Sequence, residues 1–401
     1  MLTHSTQTWE NALDCGHEVK VVALDISRAF DSVWHNGLLS KLMSVGVGGY
    51  LYRWIRDFLN NRFIKVVVNG RESSTAAINA GVPQGSILGP TLFLVFINDL
   101  SHIVSSQISM FADDTTISAI IPSVKARNCV SKVICNDLEN VQIWAEKWLV
   151  KFNAKKTQLM TISRKSNRDA GKISFLGETL KEEDSIKLLG VHITKTLDWN
   201  FHVNKIAKRA GQHLGIVRKA NKLLPCDVLA TLYKTRVRSV MEYCGPIWEN
   251  ASKTVLSKLD TIQRKACRVI GHDNDVCSKV NITSLEHRRR VSGLSQLHRM
   301  ISGTAPDGVV QLLPSFQEPS LCLVTYFKTI TSSLSLNALK QNTTGKASYL
   351  EFVSCGISFL NLASMVVLVI LLLCNLLKFA LTNGCLVVLN DCYLLFVFYF
   401  L

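Results

Sequence analysis

Acid is scarce in this sequence: 30 Asp and Glu stand against 45 Lys and Arg over 401 residues, a formal charge of +15. That imbalance points to a polyanionic partner, either nucleic acid or an anionic membrane surface. Arginine is absent beyond Arg299, so the basic density lies mid-chain, where nine Lys and Arg between His202 and Ser239 face a single acid, Asp227. The 12 cysteines contain no C-x-x-C pair. With no secretory signal ahead of them, this argues against a disulfide framework and leads us to expect reduced thiols in an intracellular protein, nuclear or cytoplasmic. Cys267, His272, Cys277 and His287 can be written as zinc ligands. Their spacing is looser than finger patterns and Cys267 falls on an amphipathic stretch, so helix surface and loop are expected there.

Charge is missing altogether from Phe352 to Leu377, 26 residues that as a helix would reach about 39 Å, enough to cross a bilayer. Two readings of this tail stand: a membrane span, or translation past a genuine stop that was never selected as protein.

What is present begins with a polar stretch, Met1 to Glu18, holding a helix through Thr8–Leu13. Then V-K-V-V-A-L-D-I predicts a buried strand over 19–26 that delivers Asp25 at its carboxyl end. A carboxylate there is costly unless it meets a metal, a cation or water, although a helix cap or turn is an equally good reading in isolation. Leu51, Trp54, Ile55 and Phe58 share one face of a helix over 50–59, with the aromatics expected in the core. Asn69-Gly70 closes a strand over 63–70, with its partner across 73–79. Arg62 and Lys65 on that strand can reach a phosphate backbone or simply face water.

Ala80–Leu100 places bare glycines around Pro83 and Gln84, so that the backbone can approach a flat ligand, and Pro90 suits the first turn of an apolar helix. In I-S-M-F-A-D-D-T-T-I-S-A-I two alternating runs flank Asp113 and Asp114, predicting a hairpin whose tight turn the aspartates make. Such a turn is by itself more often solvated than catalytic. A helix over 128–150, a stretch over 152–163 that carries Lys155 and Lys156 ahead of a strand, a strand over 186–193, and helices over 201–223, 226–241, 252–270 and 283–300 follow, with a boundary near Trp199.

Taken together, Asp25, the Gly-Val-Pro-Gln-Gly loop and Asp113-Asp114 supply convergent carboxylates, a loop for a base pair and a basic arm. Hard Mg²⁺ selects oxygen ligands and keeps several waters, so this equipment suits nucleotidyl transfer by two Mg²⁺ ions, with Mn²⁺ as substitute.

In order along the chain, A-L-D-I-S-R-A-F-D-S-V-W-H, G-V-P-Q-G-S-I-L-G-P-T-L-F-L-V-F-I-N-D-L, F-A-D-D, F-N-A-K-K-T and K-L-L-G-V-H-I resemble the reverse transcriptases of non-LTR (LINE-like, jockey-type) retrotransposons, over roughly 19–300. The resemblance implies an α+β fold: a right-hand polymerase palm, an antiparallel sheet packed on helices, with partial fingers over 1–198. It also implies a helical thumb over 199–300, followed by a linker over 301–350 and the apolar tail over 351–401. It implies that Asp25 and Asp113 are metal ligands, with Asp114 beside them and the Ile26 carbonyl on a metal. Phe30 matches the steric gate against a ribose 2′-hydroxyl. Gln84, with Pro83 and Gly85, lies near the templating pair, Lys156 assists pyrophosphate departure, and Leu188, Leu189, Gly190 and Val191 form the primer grip. The implied partners are an RNA template, a DNA primer and dNTP.

Relatives carry a fingers segment ahead of the strand at Val19, and many an upstream endonuclease, so the sequence reads as truncated at its N-terminus with nucleotide binding impaired. Two other classes remain: a catalytically silent nucleic-acid-binding remnant, and a membrane-anchored protein with a basic domain resting on Phe352–Leu377.

Overall fold

The computed structural model describes residues 1–165, 171–271 and 282–312. Two of the four candidate zinc residues, His272 and Cys277, lie outside these, as do the Phe352–Leu377 stretch and most of the linker. Among the described residues no helix is long and apolar enough to cross a membrane, and no group of three His, Cys, Asp or Glu is placed to hold a metal ion. Residues Met1–His298 form one compact unit; of the residues after it, those described hold the end of the helix Leu285–Ile301 and the short helix Asp307–Val310.

The first unit is organised on a four-stranded antiparallel sheet in the order β6-β7-β1-β8: Gln107–Phe111, Asp114–Ile121, Glu18–Leu24 and Gln158–Ile162. Strand β1 is central and covered on both sides, which is why its apolar run lacks strict alternation. On one side Lys20 Nζ donates 3.1 Å to Ser131 Oγ of α5 (Arg127–Trp148), whose Ile134, Leu138 and Val141 are fully buried. On the other, Val19 and Val21 join α1 (Leu2–Asp14) through Trp9 and Leu13 in a core that continues into α6 (Trp199–Ala220) through Trp199, Val203 and Ala210. Glu18 anchors the first residue of β1: Arg127 donates to both its oxygens at 2.8 Å and Ser163 Oγ adds a third bond at 2.8 Å, which together hold its carboxyl below the usual carboxylate range despite burial.

Several local expectations are corrected. The helix expected over Thr8–Leu13 is longer, α1 beginning at Leu2. Phe111 pairs with Asp114, so the hairpin turn is Ala112-Asp113, with Ala112 at φ 51°, and Asp114 already belongs to β7. The strand over 63–70 is two short ladders, β2 (Arg62–Ile64) with β5 (Ala76–Ile78) and β3 (Val67–Val68) with β4 (Arg71–Glu72) around Asn69-Gly70. The strand over 186–193 is itself a hairpin: β11 (Ser185–Leu188) pairs with β12 (Val191–Thr194), turning at Leu189 (φ 46°) and Gly190 (φ 83°). Trp54 on α3 (Gly49–Leu59) is exposed rather than in the core, because only the Ile55 and Leu59 stripe of that helix is covered.

Candidate active site

Strand register brings the carboxylates to one end of the sheet. The β1–β7 ladder ends at Leu24 and Thr115, so Asp25 leaves β1 at the same end at which Asp114 opens β7 and Asp113 lies in the turn. The electrostatics agree: the Asp114 pKa is raised, first by partial desolvation and then by the negative charges of Asp113 and Asp25. Two like charges acting on a third carboxyl is the signature of acids gathered into one field.

A second segment is pinned to the same corner. Ser27 N donates to Lys151 O at 2.7 Å and Asn153 N to Asp25 O at 2.9 Å, on either side of the bridge between Ile26 and Phe152. Neither bond uses the Ile26 carbonyl. The turn after Asn153, closed by Thr157 N to Asn153 O at 2.9 Å, brings Lys156 Nζ to 3.8 Å from Asp25 Oδ2. Lys156 is 69% exposed, so it is a solvent-screened counter-charge rather than a buried partner.

The glycine loop closes the third side. After Asp25 the chain turns at Arg28 (φ 51°) into a short helical turn, Ala29–Asp31, and Gly81 and Val82 donate back to Val33 O and Phe30 O, both at 2.8 Å. Gly81 needs its bare Cα: at φ +90° an added Cβ would sit 2.8 Å from the Asp31 carbonyl oxygen. Gln84 Nε2 donates to Asp31 Oδ1 at 2.7 Å, and His35 Nε2 lies 2.7 Å from Gly81 O. Phe30 is half-buried and stacks on Phe93 of α4 (Leu88–Ile97), ring centroids 4.6 Å apart. Pro83 is half-buried, and Gly85 is exposed like Gln84.

Leu188–Val191 form the β11–β12 turn, and Tyr243 Oη donates to Leu189 O at 2.8 Å, tying that turn to the helical segment after Trp199. Asp31, His35 and Tyr243 were not singled out from sequence. The A-F-D-S context of Asp31 reads as an ordinary cap, and nothing local marks a tyrosine that reaches a turn 54 residues earlier.

The donor set fits a hard divalent ion. Asp25, Asp113 and Asp114 offer only oxygens, their mutual repulsion is what a cation relieves, and Mg²⁺ needs few protein ligands because it keeps its waters. That fit is one of donor chemistry: among the described residues no group of three His, Cys, Asp or Glu side chains, these acids included, is placed to hold a metal ion.

The family model for Reverse transcriptase (RNA-dependent DNA polymerase) matches residues 2–193. Residues 2–193 are thus similar to a reverse transcriptase domain. The matched span contains the sheet, the glycine loop, the Asp113-Asp114 hairpin and the β11–β12 turn. The chain is 32% identical over 260 residues to the RNA-directed DNA polymerase from mobile element jockey of Drosophila melanogaster, covering 62% of this chain and 28% of that protein. It is 27% identical over 268 residues to the probable RNA-directed DNA polymerase from transposon BS of the same organism, covering 65% and 30%. The chain thus spans about 28% of the length of the jockey relatives. Among solved structures, apo telomerase from Candida tropicalis matches at 13% identity and a TM-score of 0.41, over 85% of this chain and 55% of that one, too loose a likeness to carry a statement about the site. The antiparallel sheet and helices of the matched span agree with the α+β class expected from sequence.

Proposed function

We propose that this chain is the polymerase part of a jockey-type non-LTR retrotransposon protein, an RNA-directed DNA polymerase that joins a dNTP to the 3′-hydroxyl of a primer paired to an RNA template. The carrying observation is the sheet register that brings the end of β1, with Asp25 after it, to the same end of the sheet as the Asp113 turn and Asp114 at the start of β7. In this reading Asp25 and Asp113 hold two Mg²⁺ ions, or Mn²⁺, with Asp114 beside them and the Ile26 carbonyl as a backbone ligand. When bound, such ions activate the primer hydroxyl and stabilise charge at the α-phosphate.

The chain's own side chains orient the rest. Phe30, braced by Phe93, crowds the ribose 2′ position. Gln84, tethered to Asp31, lies under the templating pair with Pro83 and Gly85. Lys156, 3.8 Å from Asp25, can deliver a proton to departing pyrophosphate. The Leu188–Val191 turn grips the primer, and the basic helices after Trp199 act as a thumb making sequence-independent phosphate contacts. Residues 1–198 then correspond to palm with partial fingers, 199–300 to thumb, and 301–350 to a linker.

Primer extension on an RNA template by the purified chain tests this reading. Dideoxynucleotide-terminable synthesis that Asp113→Asn lowers by about a hundredfold or more is expected. Salt-dependent binding of primer–template with no Asp113-dependent synthesis would instead mark a silent nucleic-acid-binding remnant.

A further inference from the structure

The solvent face of α3 and the strand pair after it is not used by the site above. Its aromatic side chains are unusually open: Tyr50 is 86% exposed, Trp54 53% and Phe63 66%. They are not scattered. Trp54 stacks on Phe58 with ring centroids 6.1 Å apart and planes 19° from parallel, Arg53 lies over the Tyr50 ring at 4.6 Å, and Arg62 over the Phe58 ring at 5.8 Å. Residues 50, 53, 54 and 58 fall on one stripe of the helix, and Arg62 opens β2 just beyond its end.

Charge on this face favours a polyanion. Between Gly49 and Ile78, five basic residues face two acids. Those acids are taken up locally, Asp57 by Arg56 at 3.5 Å and Glu72 by Lys65 at 2.7 Å, while Arg53 and Arg62 lie on aromatic rings. Flat, open rings interleaved with guanidinium planes suit unpaired bases, whose faces are free to stack; a duplex hides those faces. The face is also wired to the glycine loop. Arg62 pairs with Ile78, and Ala80, two residues on, bridges to Trp34.

We propose that the Tyr50–Arg53–Trp54–Phe58 face is a stacking platform for single-stranded RNA, where unpaired template rests before it enters the site. The template role rests on the polymerase reading above; the single-strand binding does not.

The test measures binding of the full chain to a fluorescein-labelled 12-nucleotide oligouridine and to a blunt RNA duplex of 12 base pairs, by anisotropy. The Tyr50→Ala/Trp54→Ala variant is expected to lose about tenfold or more in single-strand affinity, with duplex affinity changed less than about twofold, and a Tyr50→Phe/Trp54→Phe variant should keep most of the affinity. Both residues are exposed, so circular dichroism and the urea midpoint should match wild type. Unchanged single-strand affinity, or equal loss on both ligands, would overturn the proposal. So would a self-associating wild type made monomeric by the double variant with its RNA binding intact. Because binding needs no synthesis, a chain that binds the single strand through Tyr50 and Trp54 yet fails to extend a primer would sink the polymerase reading alone, which separates failure of this proposal from failure of that one.

Discussion

Gln84 Nε2 donates to Asp31 Oδ1 at 2.7 Å, and this bond fastens the glycine loop to the turn that follows Asp25. Both side chains are exposed, so the bond adds only about 0.5 kcal/mol to stability. Its consequence is positional. Asp31→Ala is expected to leave the urea midpoint nearly unchanged while raising the KM for dNTP in primer extension several-fold. Gln84→Ala should cost at least as much, since it also removes the side chain under the templating pair, and the double variant no more than Gln84→Ala alone. Additive losses would show that the two residues act separately.

The two glycines of that loop should behave differently. Gly81 combines φ +90° with backbone atoms of Asp31 at 2.8–3.0 Å from an added Cβ, and backbone cannot swing aside. Gly81→Ala is expected to cost about 2–4 kcal/mol. Gly85, at φ +80°, has nothing within 4 Å, so Gly85→Ala should cost only the left-handed penalty, about 1–2 kcal/mol. Urea unfolding of the two variants compares them; equal costs would contradict the crowding at Gly81.

Lys41 offers a pH signature. Its Nζ donates to Phe96 O and Asp99 Oδ1, each at 2.6 Å, and lies 3.8 Å from the Trp148 ring centroid. Burial pushes its pKa from 10.5 down to about 8, against the opposing pull of Asp99. Between those two values the unfolded chain holds more protons than the folded one, so stability from this group rises with pH across the window, and the full penalty of burying the charge applies below about 8. Lys41→Met keeps the side-chain stem and removes the charge. The urea midpoint of wild type is therefore expected to gain on Lys41→Met as pH goes from about 8 to about 10. A wild type that loses ground over that range would contradict the account.

The elements around the site were largely legible, and the misreadings have physical causes. The β1 run Val19–Leu24, the α5 stripe Ile134, Leu138 and Val141, and the Asp113-Asp114 hairpin follow from periodicity. The hairpin turn was misplaced by one residue because alanine at φ 51° carries no turn signature, whereas aspartate does. Ile186–Ile193 read as one strand because Leu188-Leu189-Gly190-Val191 is apolar throughout; Gly190 was the available sign of a turn. Trp54 shows another limit: spacing puts it on a helical face, but only the tertiary fold decides whether anything covers that face. The acids and the glycine loop stood out by residue type, while the bonds that fasten them, Gln84 to Asp31 and Tyr243 to Leu189, are long-range and left no local mark.

The most direct test of the central claim, that Asp25 and Asp113 share a divalent ion, is cleavage by Fe²⁺ in place of Mg²⁺. With ascorbate and peroxide, bound Fe²⁺ generates hydroxyl radicals that cut the nearby backbone, and fragment masses locate the cuts without any need for synthesis. Cuts are expected near residue 25 and near residue 113 together, suppressed by excess Mg²⁺ and lost at both places in Asp25→Asn. Cleavage at only one of the two, or cleavage that survives Asp25→Asn, would contradict it.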